Sequence, residues 1–313
     1  MGFISGIFGY LLNWLYEVFS NYGVAILIFS VILRVILIPI TIKQQKSMKK
    51  SAELQAEMSE IQKKYRNNPE KLNQETIELY KREKMSPFSG CLTSILQLII
   101  ILSVFWLVSQ PLTYMKKTDN NLIDAYTTEM KESGYNSNNS YVQIATIDYA
   151  ETKYQEISKQ LEQENVENRE ELVKKQQEYN QLRLNMEFLG IDLSKVPTQN
   201  LNDWRVYVIP VLYVITSIIS TKLTTATQKK KQKKDIVVTD DGDNKEVDPT
   251  EQMQQMSNSM MYMIPVMSVM IAIIAPLGLA LYWLASNILM IIERLIINKV
   301  MEKDDNKEES SNG

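Results

Sequence analysis

Arg34 is the residue in this chain best placed for unusual chemistry, as a lone charge inside the apolar run 22–42, which holds no acidic residue. About 20 apolar residues at a rise of 1.5 Å each cross a hydrocarbon core of roughly 30 Å. Arg34 stands about 12 residues from one end and about 8 from the other, too deep for easy snorkelling. A guanidinium at that depth costs roughly 2.5 to 3.5 kcal/mol on insertion scales, so it must face protein or water and not lipid. Two readings follow: a hydrogen bond to a carbonyl or hydroxyl of a neighbouring helix, or a functional polar cavity. The remaining chemistry is sparse. With a single cysteine, Cys91, and no histidine, an intramolecular disulfide, a zinc site and an imidazole base are not expected. There is no glycine-rich nucleotide loop either. The expectation is a protein that is not an enzyme, with no catalytic residue, no metal and no cofactor.

The polar companions of Arg34 fall on several apolar segments. Positions three, four or seven apart return to one helix face, which groups Gly23, Ser30, Arg34 and Thr41. The second apolar run carries Ser94 and Gln97, the third Thr216, Ser217, Ser220, Thr221 and Thr224, and the last Ser286 and Asn287. A single hydroxyl in such a helix usually bonds its own backbone, but the set together predicts one hydrophilic recess, built around Arg34, Ser30, Gln97, Thr216, Ser217, Ser220 and Asn287. All lie in the middle or inner half of their segments, so the recess should open to the cytoplasm. Glu293 is the nearest carboxylate in type, but it lies close to the end of its segment beside Arg294. The guanidinium is therefore expected to be free for a ligand. A second pattern is the methionine stripe Met253, Met256, Met260, Met263, Met267 and Met270, spaced 3, 4, 3, 4 and 3. Methionine is flexible and polarizable, which suits either ordinary helix packing or a surface that accepts varied apolar partners.

These residues require long apolar helices to position them. The averages, 45% hydrophobic, 23% charged, net charge −3 and mean hydropathy −0.19, conceal a segregated chain. Five spans are predicted, at 22–42, 89–112, 204–224, 260–275 and 277–298. The last two form a hairpin through Ala275, Pro276, Leu277 and Gly278. The fold class is an all-α membrane protein, with a cytoplasmic helical hairpin at 43–88 and an extracytoplasmic helical insert at 113–203. A cytoplasmic loop is expected at 225–259 and a disordered cytoplasmic tail at 299–313.

Loop charge sets the orientation. Between 43 and 86 there are 11 Lys and Arg against 7 Glu, and Lys222, Lys229, Lys230, Lys231, Lys233 and Lys234 follow the third span. These loops should be cytoplasmic. Residues 113–203 hold 16 acidic against 10 basic residues, and residues 1–21 hold no Lys or Arg, which places both outside and leaves no charged region for a removable signal peptide. The N-terminus is then out and the C-terminus in. Residues 1–21 read as an apolar, aromatic helix along the outer membrane surface; the rival is a sixth span with the N-terminus inside.

In the polar segments, Leu54, Met58, Ile61 and Tyr65, continued by Leu72, Thr76 and Leu79, predict an antiparallel helical hairpin. Asn67, Asn68 and Pro69 make its turn, with Asn68 capping the second helix and Pro69 at its first position. Such a hairpin either stiffens a connection or serves docking or gating. Tyr154, Ile157, Leu161, Leu172, Tyr179 and Leu182 predict a second hairpin within 149–188, broken near 165–168, and 133–140 reads as a flexible loop.

Specific stretches then carry a resemblance: NYGVAI at 21–26, LRVILIP at 33–39, KQQKSM at 43–48, LYK at 79–81, SPFSGC at 86–91 with Gln97, and PLGLALYW at 276–283 with Ser286 and Asn287. The chain resembles the YidC-type membrane protein insertases, in the five-span form of Gram-positive bacteria. Ser86-Pro87 stands where such proteins commonly have Asn-Pro, and Thr93 and Ile99 where they have prolines. The 113–203 segment is longer than in a minimal member and matches mainly at FLGIDL, 188–193. The resemblance implies a bacterial cell-membrane insertase and chaperone, acting alone or with the Sec translocon, whose partners are nascent membrane proteins, the ribosome and the lipid bilayer. It makes Arg34 the groove arginine that attracts the polar, often acidic, outer part of a client, with Gln97 lining the same groove. The apolar path for the client is expected along Leu98, Ile101, Phe105, Met263, Met267 and Met270. The competing class is a secondary transporter or channel for a small anion, although neither repeated halves nor broken helices are visible; a third is a helical scaffold for other membrane complexes.

Overall fold

Apolar runs of this length fold as helices because, in lipid, a helix satisfies its backbone groups within one segment. The computed structural model describes residues 2–66, 68–83, 89–135, 141–163, 168–232 and 270–311. In chain order the helices are α1 (Gly2–Phe19), α2 (Tyr22–Lys64), α3 (Pro69–Arg82), α4 (Ser89–Ser109), α5 (Pro111–Tyr114), α6 (Asn120–Glu132), α7 (Val142–Leu161) and α8 (Arg169–Leu182). A two-stranded antiparallel ribbon, β1 (Glu187–Phe188) with β2 (Ile191–Asp192), precedes α9 (Val208–Gln232) and α10 (Leu277–Ser311). Residues 270–274 are also helical. Three stretches are long and apolar enough to cross a membrane, Tyr22–Ser47, Trp204–Leu223 and Leu277–Ile297, and a shorter apolar stretch runs over Leu98–Ser109. The chain is an all-α, multi-pass membrane protein.

Several boundaries differ from expectation for local reasons. The helix that carries the first predicted span, 22–42, continues beyond it. Pro39 is the last helix breaker before the good helix formers of 43–64, so α2 runs unbroken for 43 residues. Pro39 also withdraws the donor that would bond the carbonyl of Val35, one residue beyond Arg34. The second predicted span, 89–112, is divided between two helices: Gln110 precedes Pro111, which disfavours helical geometry, so α4 ends at Ser109 and α5 restarts at Pro111. The tail expected to be disordered is instead helical through Ser311, as its Glu, Lys and Met content permits. Most of the fourth span, including Met263 and Met267, and the loop tips 136–140 and 164–167 lie outside the described residues.

The chain divides into two compact units. The first comprises Met1–Leu33, Ile99–Ile215 and Ser268–Asn287. In it α1 turns one face inward, with Ser5, Gly9, Leu12 and Leu15 buried while Phe3, Ile7, Tyr10 and Trp14 remain exposed. Ser5 donates to the carbonyl of Ser103 at 2.9 Å. At Gly9 a Cβ would lie 1.8 Å from the carbonyl oxygen of Tyr114, so only glycine permits the approach. Segment 183–196 then ties two helix starts together. Asn185 accepts from the Tyr22 amide at 2.9 Å, Asn21 caps α2 by accepting from the Val24 amide at 3.1 Å, and the carbonyls of Leu193 and Lys195 accept from Gly278 at 2.9 Å and Leu277 at 3.0 Å. These bonds satisfy amides that every helix start leaves without intrahelical partners.

The second unit comprises Arg34–Leu98, Thr216–Met267 and Ile288–Gly313. Asn68 accepts from the Lys71 amide and Pro69 occupies the first position of α3. Tyr65 reaches Glu75, Met58 accepts from Thr76, Glu57 pairs with Arg82, and Lys50 donates to the carbonyl of Glu83. These contacts join α2 to α3 and the residue just after it in antiparallel order, over a seam in which Leu54 and Leu79 are buried.

Candidate functional site

Within the second unit, α2 carries Arg34 and α10 carries Glu293, and Nε of Arg34 meets Oε2 of Glu293 in an ion pair. The side chains are 18% and 6% exposed. This corrects the expectation that the guanidinium is free: Glu293 is its partner, because the turn of α10 that carries it faces α2. The pair is nevertheless incomplete. Arg34 Nε and both carboxylate oxygens of Glu293 are buried without a hydrogen bond of proper geometry among the described residues. Ionised groups in a low-dielectric setting attract strongly but also lose much solvation, so such a pair is a high-energy feature of the site. Arg294 lies within electrostatic reach of both Arg34 and Glu293.

The other residues named from sequence fall as follows. In the second unit Ser217 and Ser220 are buried and Thr216 is half-buried, while Thr221 donates to the carbonyl of Ser217 at 2.9 Å. The side chain of Gln97 lies outside the described residues. In the first unit Ser30 is buried and donates to the carbonyl of Ile26 at 2.7 Å, and Asn287 is half-buried. Ser30, Thr41 and Thr221 thus use their hydroxyls on their own helices, as the bland reading of such residues has it. Of the apolar path, Leu98, Ile101 and Met270 are exposed, and Phe105 packs edge-on against Trp106 and Tyr141.

The first unit holds polar chemistry that sequence reasoning missed. Tyr149 donates to Glu129 at 2.8 Å, and Tyr179 donates to the same carboxylate oxygen. Tyr126 donates to Glu178, and the Tyr126 and Tyr179 rings lie 4.7 Å apart. Burial first, then the neighbouring carboxylates, holds Tyr126 and Tyr179 well above the ordinary phenol range. A separate cavity of about 710 Å³ is lined by Lys116, Asp148, Glu151, Arg183, Asp192 and Lys195 among others. Burial, and then Arg183, brings the Lys116 ammonium down to about 8, while burial pushes Asp148 up. Burial, opposed by a bond to Thr152 and reinforced by one to Asp148, pushes Tyr135 up to about 12.

Long apolar helices joined to polar helical segments, with an Arg–Glu pair in the spanning region, define a multi-pass membrane protein with a charged interior site. A family model described as 60Kd inner membrane protein matches residues 14–305. The chain belongs to this family, whose members include the YidC-type insertases. It is similar to the membrane protein insertase YidC of Caldanaerobacter subterraneus subsp. tengcongensis, 44% identical over 105 residues, which are 34% of this chain and 51% of that protein. It is also similar to the membrane protein insertase YidC of Treponema denticola, 26% identical over 289 residues, covering 92% of this chain and 36% of the relative. The namesake from Fusobacterium nucleatum subsp. nucleatum is 41% identical over 96 residues, covering 31% and 47%. The matched stretches thus span about half or less of these relatives' lengths.

Proposed function

We propose that this chain is a membrane protein insertase of the bacterial cell membrane, which receives nascent membrane proteins at a hydrophilic groove open to the cytoplasm. The family match and the relatives' names support the activity. The single observation that carries the site is the largely buried ion pair of Arg34 and Glu293, with Arg294 in electrostatic reach, in helices of membrane-spanning composition. Five spans, the N-terminus outside, the C-terminus and the 43–88 hairpin in the cytoplasm, and the 113–203 insert outside complete the reading. The groove is assigned to Arg34, Ser30, Gln97, Thr216, Ser217, Ser220 and Asn287, and the apolar client path to Leu98, Ile101, Phe105, Met263, Met267 and Met270.

The physical task is to carry a polar segment across an apolar layer, where charges lose solvation. A positive site within the spanning region shortens that barrier for an acidic client tail. Release into lipid is then driven by burial of the client's apolar segment, at roughly 25 cal/mol per Å². The ribosome and the Sec translocon are the proposed partners upstream of the groove.

Reconstitution of the protein alone in liposomes tests this reading through protease protection of a small single-span client with an acidic translocated tail. Arg34→Ala lowers insertion by about tenfold, the equivalent of 1.4 kcal/mol of lost charge stabilisation, and Arg34→Lys, which keeps the charge, retains much of the activity. Removing Arg34 also strands a buried carboxylate, so Arg34→Ala/Glu293→Ala serves as the matched control for folding. Equal insertion by unmodified and Arg34→Ala protein contradicts the assignment.

A further inference from the structure

We propose that Glu293 is a built-in competitor for the client's carboxylate, so that a client must displace it from Arg34 to engage the groove. This rests on the insertase reading above and adds a specificity-determining residue to it. The contact itself is the first observation: Nε of Arg34 and Oε2 of Glu293 touch between α2 and α10, in side chains that are largely buried. The second is that the pair lacks the hydrogen-bond geometry of a structural one. Neither oxygen of Glu293 accepts a bond among the described residues, although a carboxylate offers about four acceptor positions and a guanidinium five donors. A contact so lightly satisfied is replaced at little loss by another carboxylate that brings better geometry. The third is Arg294, which sits within reach of both charges. When a client's acid takes Arg34, Glu293 keeps a neighbouring cation in Arg294.

The exchange explains how a permanent cation is kept in an apolar layer without remaining open to every passing segment. An incoming tail without acid finds Arg34 already neutralised. One with a carboxylate competes group for group, and exchange leaves the number of buried ion pairs at Arg34 unchanged. Glu293 therefore sets a threshold on client acidity, whereas Arg34 sets the preference for acid itself.

The test uses the full chain in liposomes and three clients that differ only in carrying an acidic residue, Gln or Lys at one position of the translocated tail. The readout is the client concentration giving half-maximal protease-protected insertion. Glu293→Gln removes the competing charge at nearly constant shape, and lowers that concentration for the acidic client by about tenfold, with a smaller effect on the Gln client. Because a guanidinium without its partner can unfold the pair's surroundings, Arg34→Glu/Glu293→Arg is measured alongside. It keeps the pair, and it shifts preference from the acidic client to one carrying Lys. An unchanged or higher half-maximal concentration in folded Glu293→Gln overturns the proposal, as does retained acid preference in the exchanged protein. Arg34→Ala separates the two levels. If it loses acid preference while Glu293→Gln matches the unmodified protein, the groove stands and the competitor falls; if neither variant differs, the groove reading falls as well.

Discussion

Two of the Arg–Glu pairs, Arg183–Glu151 in the first compact unit and Arg34–Glu293 in the second, are built to opposite specifications. In the first unit, Arg183 meets Glu151 as a fork, Nε to Oε2 at 2.6 Å and Nη2 to Oε1 at 3.0 Å. Gln155 donates to the same carboxylate at 2.9 Å, and the guanidinium lies 3.6 Å over the Tyr154 ring. In the second unit, Arg34 and Glu293 are more deeply buried and yet hydrogen-bond poorly. Bidentate, multiply satisfied pairs fix geometry, and the first unit repeats that logic in its tyrosine–carboxylate cluster. The Arg34 pair is not satisfied in this way among the described residues. The difference separates a charge fixed by its neighbours from one that, on the function proposed above, can be exchanged for a client's.

The largest effect that sharpens this contrast is expected at Glu129. Glu129→Ala leaves the buried hydroxyls of Tyr149 and Tyr179 without their acceptor, and should cost the first unit about 2 to 3 kcal/mol. A lowered thermal midpoint, followed by tyrosine near-ultraviolet circular dichroism, checks it, with client insertion below that midpoint unaffected. An unchanged midpoint means that the cluster is not structural.

A smaller effect concerns Lys116, which burial, and then Arg183, lowers to about 8 from its ordinary 10.5. A lysine depressed in the folded state is penalised while protonated, and between these values the unfolded chain holds more protons than the folded one. Stability of the first unit should therefore rise with pH from about 8 towards 10, by roughly 1 to 2 kcal/mol. Unfolding of the full chain at pH 8, 9 and 10 tests the sign, and Lys116→Met should flatten the dependence. A monotonic fall over that window speaks against a buried ammonium. The smallest effect lies at the turn before α3, where Asn68→Ala removes the cap on the Lys71 amide and should cost about 1 kcal/mol. Hydrogen exchange at the start of α3 measures it; no change in protection there contradicts the cap.

Local signals made much of this legible in the sequence. The caps at Asn68 and Pro69 depend on adjacent residues, and the starts of the apolar runs coincide with the starts of α2 and α10 for the same reason. The depth of Arg34 follows from counting residues along one helix. Its partner does not, since pairing Arg34 with Glu293 requires knowing which turns of two distant helices face each other. Distance from the end of an apolar run was the wrong guide to Glu293. Helix α6 had a signal that could have found it: Asp119 caps it, and Ile123, Tyr126 and Met130 follow at spacings of 3 and 4. Segment 183–196 has no periodicity, because its task is to supply carbonyls and an asparagine to the starts of α2 and α10. Its FLGIDL match marked it without explaining it.

The most direct test of the central claim is insertion by the purified protein of a client series whose translocated tail carries zero, one, two or three carboxylates. For the unmodified protein and for Arg34→Lys, protease-protected insertion rises with carboxylate number; for Arg34→Ala it stays flat. A rise in Arg34→Ala parallel to that of the unmodified protein would contradict the claim that the buried positive charge on α2 receives the client.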